Sequence, residues 1–458
     1  MVRRRAGRLL HTISLALFGW SFPLLSQGDG TLDPAFGTGG KIALDPLLYA
    51  SVTATVVAPD GRLVVVGNRI DDAGEATGYW AVLDDAGMGT PCVADSPEGG
   101  TYFSPRAAGF DPTGRLVVAG DADVDTVGNQ GFALRYLYPA CVLDTGFNIN
   151  GIFRTNITGG IGVVLSAIGF GPGSRVILAG TYYESALGGR PLVVALSGGG
   201  LFDFSFGNFG TVDLDLGGIG ASTSSVAVQA DGRVVLGGQI EPGDSTNQFF
   251  LVRLDVAGAL DDTFGGDGLV QISVPINMDE RLNDLVIDPV SGDILAAGGS
   301  GGSLLYPTKL KVVRLRANGA LNDDFDDDGI WTAQAPDGGT ATAIALQSDG
   351  KILVGGTKDH PTTSGRDFVV HRLESDGAAD PSFGNLGITE VSFDLDPLAD
   401  DFLLASTLHA GKLVAAGYAR DPAHPLAGRA VVARLWSALI FSDGFERTTA
   451  AAWSSTVP

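Results

Sequence analysis

Seven times along the chain a turn ending in glycine leads into a short apolar run that mostly closes on glycine, and the copies fall at a nearly constant period. They read RLVVVGN from Arg62, RLVVAGD from Arg115, RVILAGT from Arg175, RVVLGGQ from Arg233, DILAAGG from Asp293, KILVGGT from Lys351 and KLVAAGY from Lys412. Between the turn glycines Gly61, Gly114, Gly173, Gly232, Gly292, Gly350 and Gly411 the steps are 53, 59, 59, 60, 58 and 61 residues. A fixed period of this size marks a repeat architecture, in which a unit buries its apolar face only against its neighbours. The 458 residues therefore read as one large repeat domain from about residue 30 to 435.

The unit beginning near Gly329 shows the pattern. GIWTAQA, TAIALQ, KILVGG and FVVHRL are four short β-rich runs bounded by Gly, Asp, Pro or Ser, and a tight QSDGK turn joins the second to the third. Four antiparallel strands repeated in series describe a propeller blade. Fourth-strand copies start at Tyr79, Phe132, Leu192, Phe249, Lys311, Phe368 and Ala430, matching the third strands one for one. The chain opens on an inter-unit connector, DGTLDPAFGTGG from Asp29, with no fourth strand before it, and it closes on a fourth strand with no connector after it. Joining the ends completes a seventh copy. The expected fold is all-β, a seven-bladed β-propeller of about 58-residue four-stranded repeats, with blades at about 40–85, 100–138, 151–198, 210–255, 268–316, 329–374 and 387–436.

The connector carries a resemblance. LDPAFGTGG from Leu32, LDTGFNING from Leu143, FDFSFGNFG from Phe202, LDDTFGGDG from Leu260, LNDDFDDDG from Leu321 and ADPSFGNLG from Ala379 recur in phase with the QxDGK-type turn. This combination resembles the delta-60 repeat, a family of exported bacterial domains of unknown function assigned to β-propellers. The resemblance spans about 400 residues and lapses once, where MGTPCVADSPEGG from Met88 lacks the phenylalanine. Phe36, Phe147, Phe206, Phe264, Phe325 and Phe383 are expected to wedge between blades, since an aromatic ring buries a large apolar area.

Residues 1–27 read as a secretory signal peptide, with Arg3, Arg4, Arg5 and Arg8 ahead of an apolar stretch from Leu9 to Leu25. No later segment is long and apolar enough for a membrane span. Removing the four leader arginines takes the formal charge from −23 to −27, which argues against nucleic acid and anionic lipid as partners. A secreted or cell-surface monomer of a Gram-negative bacterium is expected. Residues 437–458 form a tail outside the repeats, similar in its DGFE and Trp453 to short sorting ends of exported proteins. Cys92 and Cys141 stand at equivalent places in consecutive units and read either as a disulfide or as two buried free thiols.

Chemistry is sparse. The one GxSxG match, Gly298 to Gly302, lacks the following helix that a nucleophile elbow requires. Asp324, Asp326 and Asp328 place hard oxygen ligands on alternate residues, a pattern compatible with calcium, the only cofactor suggested. His360 and His424 lie in DHP and AHP contexts on adjacent units and, with Asp359 and Asp421, form a candidate metal or acid/base cluster. The links between third and fourth strands are the main expectation, because they share one face, similar length and wholly different contents. Tyr182, Tyr183 and Tyr306 offer aromatic platforms there, and Asp71, Asp72, Glu75, Glu184 and Asp244 offer acceptors. The expected function is a non-enzymatic scaffold that binds an extracellular glycan or surface protein through this face. The alternatives are a polysaccharide-acting propeller lyase or hydrolase and a purely structural envelope protein.

Overall fold

A computed structural model describes residues 28–44, 50–70, 76–94, 102–124, 128–155, 160–184, 188–243, 246–272, 279–301, 308–333, 338–360, 365–393, 395, 400–421 and 424–437. The leader, the tail from residue 438, and the sequence candidates Asp71, Asp72, Glu75, Asp244 and Tyr306 lie outside these residues. The chain is all-β. Among the described residues no helix is long and apolar enough to cross a membrane.

Antiparallel pairing sorts the strands into successive groups of three long strands and a short outer one. The first group holds Ala50–Val57, Leu63–Ile70, Ala76–Leu83 and outer Gly89–Ala94. The second holds Tyr102–Phe110, Leu116–Val124, Gly128–Leu137 and outer Ile152–Arg154. The third holds Gly162–Gly171, Arg175–Glu184, Gly188–Leu196 and outer Thr211–Asp213. The fourth holds Gly220–Val228, Val234–Glu241, Gln248–Leu254 and outer Leu269–Ile272. The fifth holds Glu280–Ile287, Ile294–Ser300, Lys309–Leu315 and outer Ile330–Thr332. The sixth holds Gly338–Leu346, Ile352–Asp359, Arg366–Leu373 and outer Ile388–Val391. The last holds Asp401–His409, Lys412–Asp421 and His424–Trp436, and its outer strand is Lys41–Ala43 from the start of the chain.

The hydrogen-bonded group is therefore offset by one strand from the sequence repeat. Ile330–Thr332, expected as the first strand of the unit at 329–374, pairs with Lys309–Leu315 of the unit before it. The reason is the connector: its tight turn reverses the chain at once, so the next strand lies antiparallel to the one just finished. The blade boundaries expected from sequence shift accordingly.

No sheet closes on itself. The first strands of the groups nevertheless pack side by side in chain order, and Asp401–His409 returns to pack on Ala50–Val57. Each of these seven strands carries one bulge, at Thr53, Arg106, Ser166, Ser224, Asn283, Thr342 and Leu404. An extra residue at one level of every strand increases local twist and re-aims a side chain. All seven line a single cavity of about 280 Å³. Thr53 Oγ1, Asn283 Nδ2 and Thr342 Oγ1 donate to the carbonyls of Pro105, Ala341 and Leu403, the residues just before the next group's bulge.

The connectors join neighbouring groups. Phe36, Phe147, Phe206, Phe264, Phe325 and Phe383 are fully buried. Arginines of the preceding strands stack on five of these rings, with Arg434, Arg135, Arg253 and Arg372 at 4.6, 4.7, 4.9 and 4.8 Å from the centroids and Arg175 at 5.6 Å. After each phenylalanine the next amide reaches a turn carbonyl of the following group: Gly37 to Ala86, Asn148 to Gly199, Gly207 to Ala257, Gly265 to Asn318, Asp326 to Asp376 and Gly384 to Asp29. The junction of the first two groups lacks the phenylalanine. There Cys92 and Cys141 are bonded across it, with Cα atoms 5.8 Å apart.

Candidate functional site

The long links of the sequence analysis join the second and third strands of each group. Their central residues fall outside the described ones, so the base of this face is what the structure defines. Strand alternation divides the two tyrosines of the third group. Tyr182 points into the core and is buried, which removes it as a platform, whereas Tyr183 points outward.

Tyr183 borders a cleft of about 200 Å³ between the third and fourth groups. Gly188 and Gly189 line one side, and Ser222, Gln239, Glu241 and Asn247 line the other. The glycines are needed for the close approach. A Cβ on Gly188, whose φ is +82°, would stand 2.6 Å from the Ile219 carbonyl oxygen, and one on Gly189 would stand 2.9 Å from that of Ala221. Among the described residues the side chains of Gln239, Glu241 and Asn247 make no hydrogen bond, so two amides and a carboxylate face the cleft with free donors and acceptors. Sequence reasoning missed Gln239 and Asn247 because neither sits in a motif; only their place at strand ends beside a link marks them.

Around Tyr183 the charges are ordered. Arg106, the bulge residue of the second group, donates through Nε to Asp121 Oδ1 at 2.5 Å. Burial works against its charge, but Asp121, with smaller effects of Tyr102 and Tyr183, holds the guanidinium above its ordinary range. Glu184 follows at the outer rim, where Arg190 lies 3.8 Å from it, 3.5 Å from Asp213 and 3.9 Å from Asp215. Burial, then repulsion from Glu184 and Asp215, leaves the Asp213 carboxyl above its ordinary range despite Arg190.

Of the two candidate histidines the structure describes the surroundings of one. His360 Nε2 lies 2.9 Å from Asp367 Oδ2 and 3.9 Å from Glu390 Oε2, both within its own group. Its expected partner Asp359 instead accepts from Arg366 and Thr308. Of His424 only the backbone is described, paired with Asp421.

The Asp324, Asp326, Asp328 run curls round the Phe325 wedge. Asp324 accepts from Arg316 at 3.2 Å, Asp328 Oδ1 accepts from the Ile330 amide at 2.8 Å, and Asp326 has a φ of 48°. At that connector position Gly37, Gly207, Gly265 and Gly384 have φ of 55°, 54°, 65° and 52°, and Asn148 has 45°. Asp and Asn are the residues that best tolerate this left-handed conformation in place of glycine. Among the described residues the three carboxylates do not form a converging ligand group, whereas His360, Asp367 and Glu390 do, with donor atoms within 4.8 Å of one another.

Residues 229–264 and 347–383 match the model of a family described as a domain of unknown function (DUF5122) beta-propeller. What these two stretches resemble is a β-propeller of unknown function. They cover the tight turn, the next two strands and the connector phenylalanine of the fourth and sixth groups. No curated protein matches the chain. Among solved structures, a protein of unknown function from Dyadobacter fermentans is 12% identical, with a TM-score of 0.46 over 87% of this chain and 98% of that one. A polysaccharide lyase of family PL25, an ulvan lyase, is 12% identical, with a TM-score of 0.49 over 90% and 96%. The GH93 α-L-arabinofuranosidase of Fusarium graminearum is 9% identical, with a TM-score of 0.44 over 89% and 97%. Likenesses this distant transfer no activity.

Proposed function

We propose that the seven groups close as a seven-bladed propeller, exported by the leader at residues 1–27, whose link-bearing face binds an uncharged extracellular glycan. The cleft between the third and fourth blades carries this reading. It presents an aromatic ring, two carboxamides, a carboxylate and a hydroxyl within one concave site, a set suited to the hydroxyls and apolar faces of a sugar. The formal charge of −23 opposes a polyanionic chain, so a neutral polysaccharide suits the surface better.

A second reading, glycan cleavage, has one observation of its own. Asp213 and Glu184 flank Arg190 at the rim beside Tyr183, two carboxylates of the type that general acid and base chemistry uses, and burial with repulsion from Glu184 raises the Asp213 carboxyl. The test is a binding screen of neutral oligosaccharides against the protein and its Gln239→Ala and Glu241→Gln variants, with released reducing ends measured in parallel. Saturable binding weakened at least about tenfold in both variants supports the cleft. Binding that ignores both substitutions sinks it, and reducing ends that vanish with Asp213→Asn establish cleavage.

A further inference from the structure

We propose that His360, Asp367 and Glu390 form a binding site for a divalent transition-metal ion of the zinc class, on the outer edge of the sixth blade and separate from the glycan cleft. The three residues come from three adjacent strands. His360 follows the last residue of Ile352–Asp359, Asp367 lies in Arg366–Leu373, and Glu390 lies in Ile388–Val391. The register explains their convergence. Asp367 pairs with Lys358, while Glu390 pairs with Val369, two residues along the strand and on the same face as Asp367. Diagonal neighbours on one sheet face are within reach of long side chains.

The spacing suits one ion. Four ligands about 2.0–2.1 Å from zinc stand roughly 3.3 Å apart at the corners of a tetrahedron. The observed separations from His360 Nε2, 2.9 Å to Asp367 Oδ2 and 3.9 Å to Glu390 Oε2, bracket that edge. The carboxylate of Glu390 is already divided between two tasks. Its Oε1 accepts from Lys358 Nζ at 2.5 Å, which leaves Oε2 turned to the histidine. A bond that orients a ligand from behind is what metal centres require of the residues around them. His360 and Asp367 are each about a quarter exposed, at 24%, so an ion has a path in. One nitrogen and two carboxylate oxygens favour zinc, cobalt or nickel over calcium, which takes oxygen ligands in larger number. Three protein ligands leave a fourth position for water or an external group.

The test is calorimetric titration of chelator-treated, untagged protein with Zn²⁺, repeated with Ca²⁺. One Zn²⁺ per chain is expected, with affinity lowered at least about tenfold in His360→Ala and in Glu390→Gln, and lowered less in Lys358→Met. Melting curves in chelator establish that each variant folds. Should His360→Ala fail to fold, Asp367→Asn carries the same test, and Co²⁺ added to the wild type is expected to give the visible band of a four-coordinate nitrogen and oxygen site. Absence of Zn²⁺ binding, binding unchanged in the variants, or Ca²⁺ bound as tightly as Zn²⁺ overturns the proposal.

Discussion

At the scale of single residues, the arginines behind the connector phenylalanines hold the most. Arg372 is 1% exposed; it bonds Asp380 and Asp29, each at 2.7 Å, reaches the Ser437 carbonyl and lies over Phe383. Arg372→Ala would strand the buried Asp29 carboxylate and leave Asp380 to Lys351, and a loss of about 3–5 kcal/mol in chemical denaturation is expected. Asp326 points the other way. It spends left-handed strain where most connectors have glycine, and burial plus repulsion from Asp328, Asp327 and Asp376 lifts its carboxyl above the ordinary range. Asp326→Gly is expected to raise stability by about 1 kcal/mol, and a calcium-induced rise in melting temperature that this change abolished would contradict the structural role given to it.

The carboxylates also set opposite pH dependences. Burial raises Asp33, Asp144, Asp203, Asp261 and Asp380, but hydrogen bonds and arginine or lysine charges more than offset it, and all five lie below the ordinary range. Their stabilisation is fully present above the unfolded value of 3.8 and drains away as pH falls below it. Asp284, which lines the cavity at the bulges, is pushed by burial up to about 6, against bonds from Ser225, Leu285 and Ile344. Its protonated form is favoured by folding, so its contribution declines as pH rises from about 4 to about 6. Asp284→Asn is expected to lower stability at pH 4 and to flatten that decline in a series of denaturation curves. An unchanged slope would remove Asp284 as its source.

Among the elements, the junction of the first two strand groups is the exception that explains the rule. Six junctions use a phenylalanine wedge and an amide-to-carbonyl bond, and the disulfide stands at the junction whose sequence lacks the phenylalanine. Tyr138 adds to it, bonding Asp60 at 3.0 Å and receiving Arg62 at 5.5 Å from its ring. Replacing both cysteines by serine is expected to cost about 2–4 kcal/mol, since the bridge closes a loop with a sequence separation of 49. Hydrogen exchange that quickens first in Gly89–Ala94 would localise the effect. The lapse at Met88 was legible in the sequence, and so were the wedges, because both depend on residues that recur in phase. The offset between repeat and sheet was not legible: a connector's turn decides which strand pairs with which, and the strand runs look the same either way. His360 shows the same limit. Its neighbour Asp359 looked like its partner in the chain, but strand alternation turned it aside to Arg366, and pairing across the sheet supplied Asp367 and Glu390.

At the scale of the whole molecule, the proposed propeller requires the last group to meet the first. The closing contact is built from the two ends of the described chain. Lys41–Ala43 pairs with the strand ending at Trp436, and Gly30 and Asp33 bond back to the Trp436 and Arg434 carbonyls. Asp33, fully buried, receives Arg434 and Lys412 at 2.7 and 2.9 Å. The direct measurement is a double-mutant cycle on Asp33→Ala and Arg434→Ala by equilibrium unfolding. Closure predicts a coupling of about 2–3 kcal/mol between residues 401 apart in sequence. Losses that simply add, to within about 0.5 kcal/mol, would show that the ends do not meet and would contradict the closed ring.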